Sequence, residues 1–208
     1  MEATISLLIG YVFGSFPTAF ILLKKTMGID ITKNGSCNVG AHNSWDISKS
    51  KTTGLVVLIL DVLKGFFAVL LPIYFFSNSF LNEMLALNGA VFAHCYSPWI
   101  KFKGGRGLAT AAGGALIISA PILLMWCLVW LLVFIIKKNI HWSNIAATFL
   151  SSGLIFILSR VLINYTNPPP NSELQFSLFV SLMFLIILSR HIEPIKEYLT
   201  THQKNLRN

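Results

Sequence analysis

The 208 residues are 54% apolar and only 12% charged, against about 25% charged in an ordinary soluble domain, and the mean hydropathy is +0.68. A water-soluble fold is excluded, and lipid is the expected main solvent. The net charge of +8 lies in clusters between apolar runs, so it reads as the loops of a membrane protein and not as a nucleic-acid-binding surface. Runs rich in Leu, Ile and Phe favour an all-α bundle over a barrel of short alternating strands. No gap between runs would hold a soluble domain, so residues 1–208 read as one membrane-embedded domain.

The first apolar run is Thr4–Leu23, ending at Lys24-Lys25. Glu2 and the lack of an early Lys or Arg argue for a retained span and against a signal peptide. Gly14-Ser15-Phe16-Pro17 within it predicts a kink with close packing. A second span is expected over Gly54–Phe76, with Asp61 and Lys64 three residues apart at membrane depth. They must pair or face a polar cavity. A third span, Met84–Ile100, contains His94 near its end. The run from Leu108 to Ile136 is 29 residues, long for one crossing of about 20. Gly113-Gly114 and Pro121 predict two short helices, Leu108–Ser119 and Pro121–Ile136. Ile145–Ile163 and Phe176–Ser189 complete the set, the last being short and extended by its flanks. Between those two, Pro168-Pro169-Pro170 reads as a stiff connector.

Seven spans place 14 of the 16 Lys and Arg residues on one side, and the other two (Lys64 and Arg160) lie inside spans. Six spans would put the bases after Ile136 on the wrong side. The expected fold is therefore a seven-transmembrane-helix bundle, N-terminus outside and C-terminus cytoplasmic. That topology brings the loops around Gly28–Thr53, Lys101–Gly107 and Lys137–Asn144, with the tail from Arg190, to one face. Cys37, Cys95 and Cys127 form an odd set without metal spacing, so free thiols and no metal are expected.

The stretch Lys101–Gly114, KFKGGRGLATAAGG, alternates Lys101, Lys103 and Arg106 with Gly104, Gly105 and Gly107 before an apolar run. Glycines let successive backbone N–H groups turn toward one anion, and a helix starting at Leu108 would add its positive end. The pattern fits a phosphate cradle at a membrane surface; a Gly-rich turn with positive-inside lysines fits it too. It is not a Walker A loop. The first inner loop, Gly28–Ile47, holds Gly35, Ser36, Asn38, Gly40 and Asn43, groups that form tight turns and can donate to phosphate oxygens, as can an ordinary polar loop. His42 and Asp46 would share a face if this loop were helical, as a His–carboxylate pair able to act as a base. His94 and His191 read as surface hydrogen-bonding groups at the cytoplasmic interface.

Together these blocks resemble the bacterial acyl-phosphate:glycerol-3-phosphate acyltransferases, the PlsY family of integral membrane enzymes. The resemblance rests on Gly14-Ser15-x-Pro17 with Gly35-Ser36-x-Asn38-x-Gly40-Ala41-x-Asn43, on Leu60-Asp61-x-x-Lys64-Gly65, and on His94-x-Tyr96 followed by Phe102 to Thr110, and it continues at Arg190-His191. It implies a cytoplasm-facing site that moves an acyl group from acyl phosphate to the 1-hydroxyl of glycerol 3-phosphate, giving lysophosphatidate for phospholipid synthesis. Lys103, Arg106 and Ser36 would be catalytic. Gly35, Asn38, Gly40, Asn43, Gly104, Gly105, Gly107, Ser143 and His191 would bind substrate. No metal or cofactor is implied, and the partners would be the two substrates and membrane lipid. An acyl phosphate is an activated anhydride, so the chemistry needs anion sites and an aligned hydroxyl, not a Ser or Cys nucleophile.

The sequence departs from that family at Cys37, His42, Asp46 and Pro194, and Arg106 stands where a Lys is usual. Asp46 replaces a substrate-binding Arg and puts an anion beside a proposed phosphate. The departures leave two alternatives open: another polyol-phosphate acceptor, or a non-catalytic transporter or binding protein for anionic amphiphiles. No internal repeat supports a transporter.

Overall fold

The computed structural model describes Met1–His191, so Pro194 and the rest of the basic tail beyond His191 lie outside the described residues. The regular structure described is entirely helical: α1 (Glu2–Ser15), α2 (Thr18–Met27), α3 (Ala41–Ser48), α4 (Lys51–Phe75), α5 (Phe80–Cys95), α6 (Leu108–Ile118), α7 (Ala120–Lys137), α8 (Ile140–Leu162) and α9 (Glu173–Ser189), with three short 3-10 turns. Among the described residues, four segments are long and apolar enough to cross a membrane: α1 with α2, α4, α7, and α8 with its following turn. The helices α6 and α9 are apolar but shorter.

Helix α5 is the hub, buried along nearly its whole length. It packs on α1 through small residues, Gly10 against the Ala86 backbone and Gly14 against Ala90, where any Cβ would collide. Gly65 of α4 meets Thr110 of α6 in the same way, and Gly113 meets Val62. Lipid gives helices no hydrophobic reason to associate, so such close backbone approach supplies the attraction. Around α5 a core forms from Val69, Leu87, Val91, Ile118, Phe176, Val180 and Ile187. Helix α7 turns Leu124, Leu128, Leu132 and Ile135 outward, as a lipid-facing helix should.

The long run divides at Ser119, close to where Pro121 predicts. At Pro17 the expected kink is a full break, because Phe16 is extended and a new helix starts at Thr18. The break leaves carbonyls without helical partners, and distant groups satisfy them. Lys64 Nζ donates to Phe16 O at 2.8 Å and Ser97 Oγ donates to Ser15 O at 2.6 Å. A second departure is α3, a helix within the first polar loop. Gly40 is extended before it, Ser44 Oγ donates to Gly40 O at 2.9 Å, and Lys49 ends it in the left-handed region. All three cysteines are free thiols, as expected.

Candidate functional site

The glycine stretch is anchored from both ends. The turn Pro98–Ile100 leads into it and is tied to the break in the first span, with Trp99 Nε1 donating to Ser15 Oγ at 3.0 Å. Lys101 and Phe102 then turn through positive φ, and Gly105 N donates to His94 O at 3.1 Å. Glycine is required at 105 because a Cβ would strike the His94 ring and the Val39 carbonyl. Gly107, at φ +81°, caps α6 in a conformation that strains other residues. The positive end of α6 therefore opens at the glycines.

His94 is buried under this turn, not on the surface as its sequence position suggests, because the chain folds back over it at Gly105. Below it lies the expected ion pair, with Lys64 Nζ 2.9 Å from Asp61 Oδ1. Thr18 Oγ1 donates to the same carboxylate at 2.6 Å, and His94 Nδ1 stands 3.8 Å from it. The pair thus joins the second span, the break at Pro17 and the floor of the glycine stretch.

Two other segments close on the glycines. Val39 N donates to Gly104 O at 3.2 Å, which fastens the first inner loop alongside. Arg190 donates from Nη2 to Gly104 O at 3.3 Å and from Nε to Gly105 O at 3.4 Å. Its guanidinium also lies over Tyr96, 5.3 Å from the ring centre. A trans peptide holds C=O and N–H on opposite sides, so drawing the Gly105 carbonyl toward Arg190 aims the Arg106 N–H away from it. Arg190 was not among the expected site residues. The position next to His191 was its only sequence signal.

Within the first loop, Asn43 is 1% exposed and its amide is engaged by the loop itself. It accepts from Ser36 N at 3.0 Å and donates to Asn34 O at 3.1 Å and Asn38 O at 3.0 Å. Gly35, at φ +59°, backs onto it. The structure thus gives Asn43 a loop-shaping place, which holds Ser36 exposed, Asn38 half-buried and Gly40 buried beside the glycine stretch. Lys103 is exposed and Arg106 half-buried.

Arg106 Nη1 is 2.9 Å from His141 Nδ1 at the start of α8. The His42 ring stands edge-on to His141, 6.3 Å between centres, and His42 Nε2 is 3.4 Å from Asp46 Oδ2, since α3 does place these two on one face. Ser143 is buried and donates to Asn139 O at 2.8 Å. His191 is likewise buried, with Nδ1 donating to Ile187 O at 2.9 Å and Nε2 without a partner among the described residues. It lies within electrostatic reach of Arg106 and His141, so the two halves of the expected set, loop and tail, do converge. Its expected surface position is corrected because the turn after α9 tucks the ring against Ile187.

Burial, helped by the nearby positive charge of Arg106 and Arg190, lowers the His191 pKa to about 4. The ordinary value is about 6.5, so the unfolded chain takes up this proton first. The contribution to stability is complete above pH 6.5 and is eroded as pH falls toward 4. NMR titration of a His191-labelled sample should show a neutral imidazole at pH 5.5; a midpoint near 6.5 would contradict this burial.

Directly under the first turn of α6 is an apolar cavity of about 60 Å³ between α6, α7 and α9, walled by Leu108, Ala112, Ala115, Trp126 and Phe184. On the outer side of the loop an open cavity of about 680 Å³ is rimmed by Asp30, Asp46 and Lys49. Among the described residues no cluster could hold a metal ion.

A family-wide sequence profile described as glycerol-3-phosphate acyltransferase matches residues 4–201. The glycerol-3-phosphate acyltransferase of Gluconobacter oxydans (strain 621H) is 34% identical over 203 residues, covering 96% of this chain and 91% of the relative. That of Helicobacter acinonychis (strain Sheeba) is 31% identical over 209 residues, covering 96% and 92%. Two crystal structures of PlsY (YgiH), an integral membrane glycerol 3-phosphate acyltransferase, superpose at 29% identity: the glycerol 3-phosphate form with a TM-score of 0.77 over 97% of this chain and 94% of the other, and the lysophosphatidic acid form with 0.76 over 97% and 93%.

Proposed function

The chain belongs to the glycerol-3-phosphate acyltransferase family, and from that premise we propose that it transfers a fatty acyl group from acyl phosphate to the 1-hydroxyl of glycerol 3-phosphate, releasing phosphate and lysophosphatidate. The observation that carries this reading is the juncture at Gly104–Arg106. There an anion-binding turn, the polar loop at Ser36–Gly40 and the basic Arg106 meet above an apolar cavity.

In this reading the phosphate of the donor sits on the glycine stretch, held by Lys103, Arg106 and the positive end of α6, with Gly104, Gly105 and Gly107 allowing the backbone close. The first carbons of its acyl chain enter the cavity beside Leu108 and Ala112. Ser36, with Gly35, Asn38 and Gly40, meets the acceptor's phosphate, Asn43 shaping their loop. Ser143 and the acceptor nitrogen of neutral His191 orient the glycerol. The 1-hydroxyl oxygen bonds to the acyl carbon, the bond from that carbon to the bridging oxygen breaks, and phosphate leaves carrying the hydroxyl proton. Arg106 meets the charge that grows on the acyl oxygen and the departing phosphate. Such alignment of two bound reactants supplies much of the rate.

The same reading places the chain in a bacterial cell membrane with seven crossings, the N-terminus outside and the site facing the cytoplasm. Its support is the concentration of Lys and Arg on one side. No cofactor has a part in it.

A different polyol-phosphate acceptor is favoured by one observation. Asp46 and Asp30 line the open cavity together with Lys49, so an acceptor phosphate placed there would meet two carboxylates. The purified protein, given acyl phosphate, should release phosphate only when glycerol 3-phosphate is present. Release with another polyol phosphate instead moves the function to that acceptor. Tight binding of acyl phosphate without turnover would leave a binding protein.

A further inference from the structure

The contact between Arg106 and His141 fixes a protonation state. A guanidinium offers only N–H donors, so at 2.9 Å the His141 Nδ1 must accept with its lone pair. His141 is therefore neutral, with its proton on Nε2. The ring is itself held in place. Asn139 Oδ1 caps α8 by accepting from His141 N at 2.9 Å and from Trp142 N at 3.1 Å. The His42 ring stands edge-on to that of His141, 6.3 Å between centres, with His42 Nε2 3.4 Å from Asp46 Oδ2.

We propose that His141 is a positioning residue: its neutral imidazole fixes the plane of the Arg106 guanidinium over the glycine stretch. This rests on the reading of that stretch as the phosphate site. The physical ground is the planarity of arginine. Binding one Nη of a rigid fork sets the direction of the other N–H groups, which a freely rotating lysine ammonium would not allow. Phosphate recognition by a fork needs that direction set in advance, because a misplacement near 1 Å costs about 10²-fold in rate. Helix α3 acts through the same contact. His42 and Asp46 lie in the first loop, Arg106 in the central loop and His141 at the start of α8, so groups from three segments distant in sequence meet beside one guanidinium.

The test compares His141→Asn, which keeps an acceptor near the position of Nδ1, with His141→Leu, which removes it. Both are made in the full chain and assayed for phosphate release from acyl phosphate with glycerol 3-phosphate. His141→Leu is expected to lower kcat about 10–100-fold with a smaller change in KM for the acceptor, while His141→Asn stays within about 3-fold of the parent. In an Arg106→Lys background, His141→Leu should cause little further loss, because the coupled partner is gone. Equal activity of His141→Leu and the parent overturns the proposal, and so do losses that multiply independently in the double variant. Thermal midpoints of all variants separate a folding defect from a positioning one. If His141→Leu does not fold, His141→Ala, which also removes the acceptor, takes its place in both Arg106 backgrounds with the same readings. If the parent itself releases no phosphate, the acyltransfer reading fails, and positioning is read from equilibrium binding of inorganic phosphate. Weaker binding by His141→Leu upholds it, and equal binding overturns it.

Discussion

Arg106→Ala should lower kcat by about 10²–10³-fold while leaving expression, membrane insertion and thermal midpoint close to the parent. The side chain is half-buried at the edge of the glycine stretch, not part of the apolar core, so its removal leaves the packing intact. In the proposed reaction, what is lost is a cation aimed where charge develops as the anhydride breaks. Backbone amides and the positive end of α6 remain, which is why residual activity above the uncatalysed rate is expected. KM for acyl phosphate should rise less than kcat falls, since the guanidinium meets more charge in the transition state than in the bound substrate. Steady-state phosphate release at several donor concentrations measures both. Full activity in this variant would remove the glycine stretch from the chemistry.

Lys64→Met should be the most damaging single change to the fold. Lys64 and Asp61 are almost fully buried and 2.9 Å apart. Removing the ammonium leaves the Asp61 carboxylate in a low-dielectric interior with Thr18 as its remaining close donor, and the Phe16 carbonyl at the helix break keeps only the Thr18 N–H. Breaking one side of a buried ion pair costs about 3–5 kcal/mol. Activity should fall with it, because the break at Pro17 holds Ser97 and Trp99, which carry the entry to the glycine stretch. The companion double variant, Lys64→Met with Asp61→Leu, should recover much of the thermal midpoint in detergent, since no lone charge remains. It should not recover full activity, because the bond from Lys64 that ties α4 to the break at Phe16 is still missing. A double variant as unstable as the single would show that the damage comes from packing and not from the unpaired charge.

These expectations draw unequally on sequence and structure. The ion pair was legible because charges three residues apart inside an apolar run have few alternatives to pairing. The division at Ser119 was legible because Pro121 cannot continue a helix that already lacks room for a second crossing. The glycine stretch was legible through its alternation of Gly with Lys and Arg. The helical state of Ala41–Ser48 was not, since a short polar segment has almost no intrinsic helicity. It is held by packing on α2 and α4 and by the Lys51 ammonium over Trp45, 5.8 Å from the ring centre. The loop contacts of Asn43 were not legible either, because they join its amide to backbone groups that no spacing announces.

By itself the sequence determined the solvent, the helical class and the places where the helices stop. Those follow from apolar run length, from the high free-energy cost of a charge in lipid, and from proline's missing N–H, all of them local properties. Only the tertiary structure decided which groups meet. Val39 against Gly104, Arg190 behind Gly105, and His141 beside Arg106 join residues from 35 to 86 positions apart. Contacts at that separation depend on how α1, α5 and α9 pack, and packing is settled by close backbone fit at Gly10, Gly14 and Gly65, which no single segment encodes.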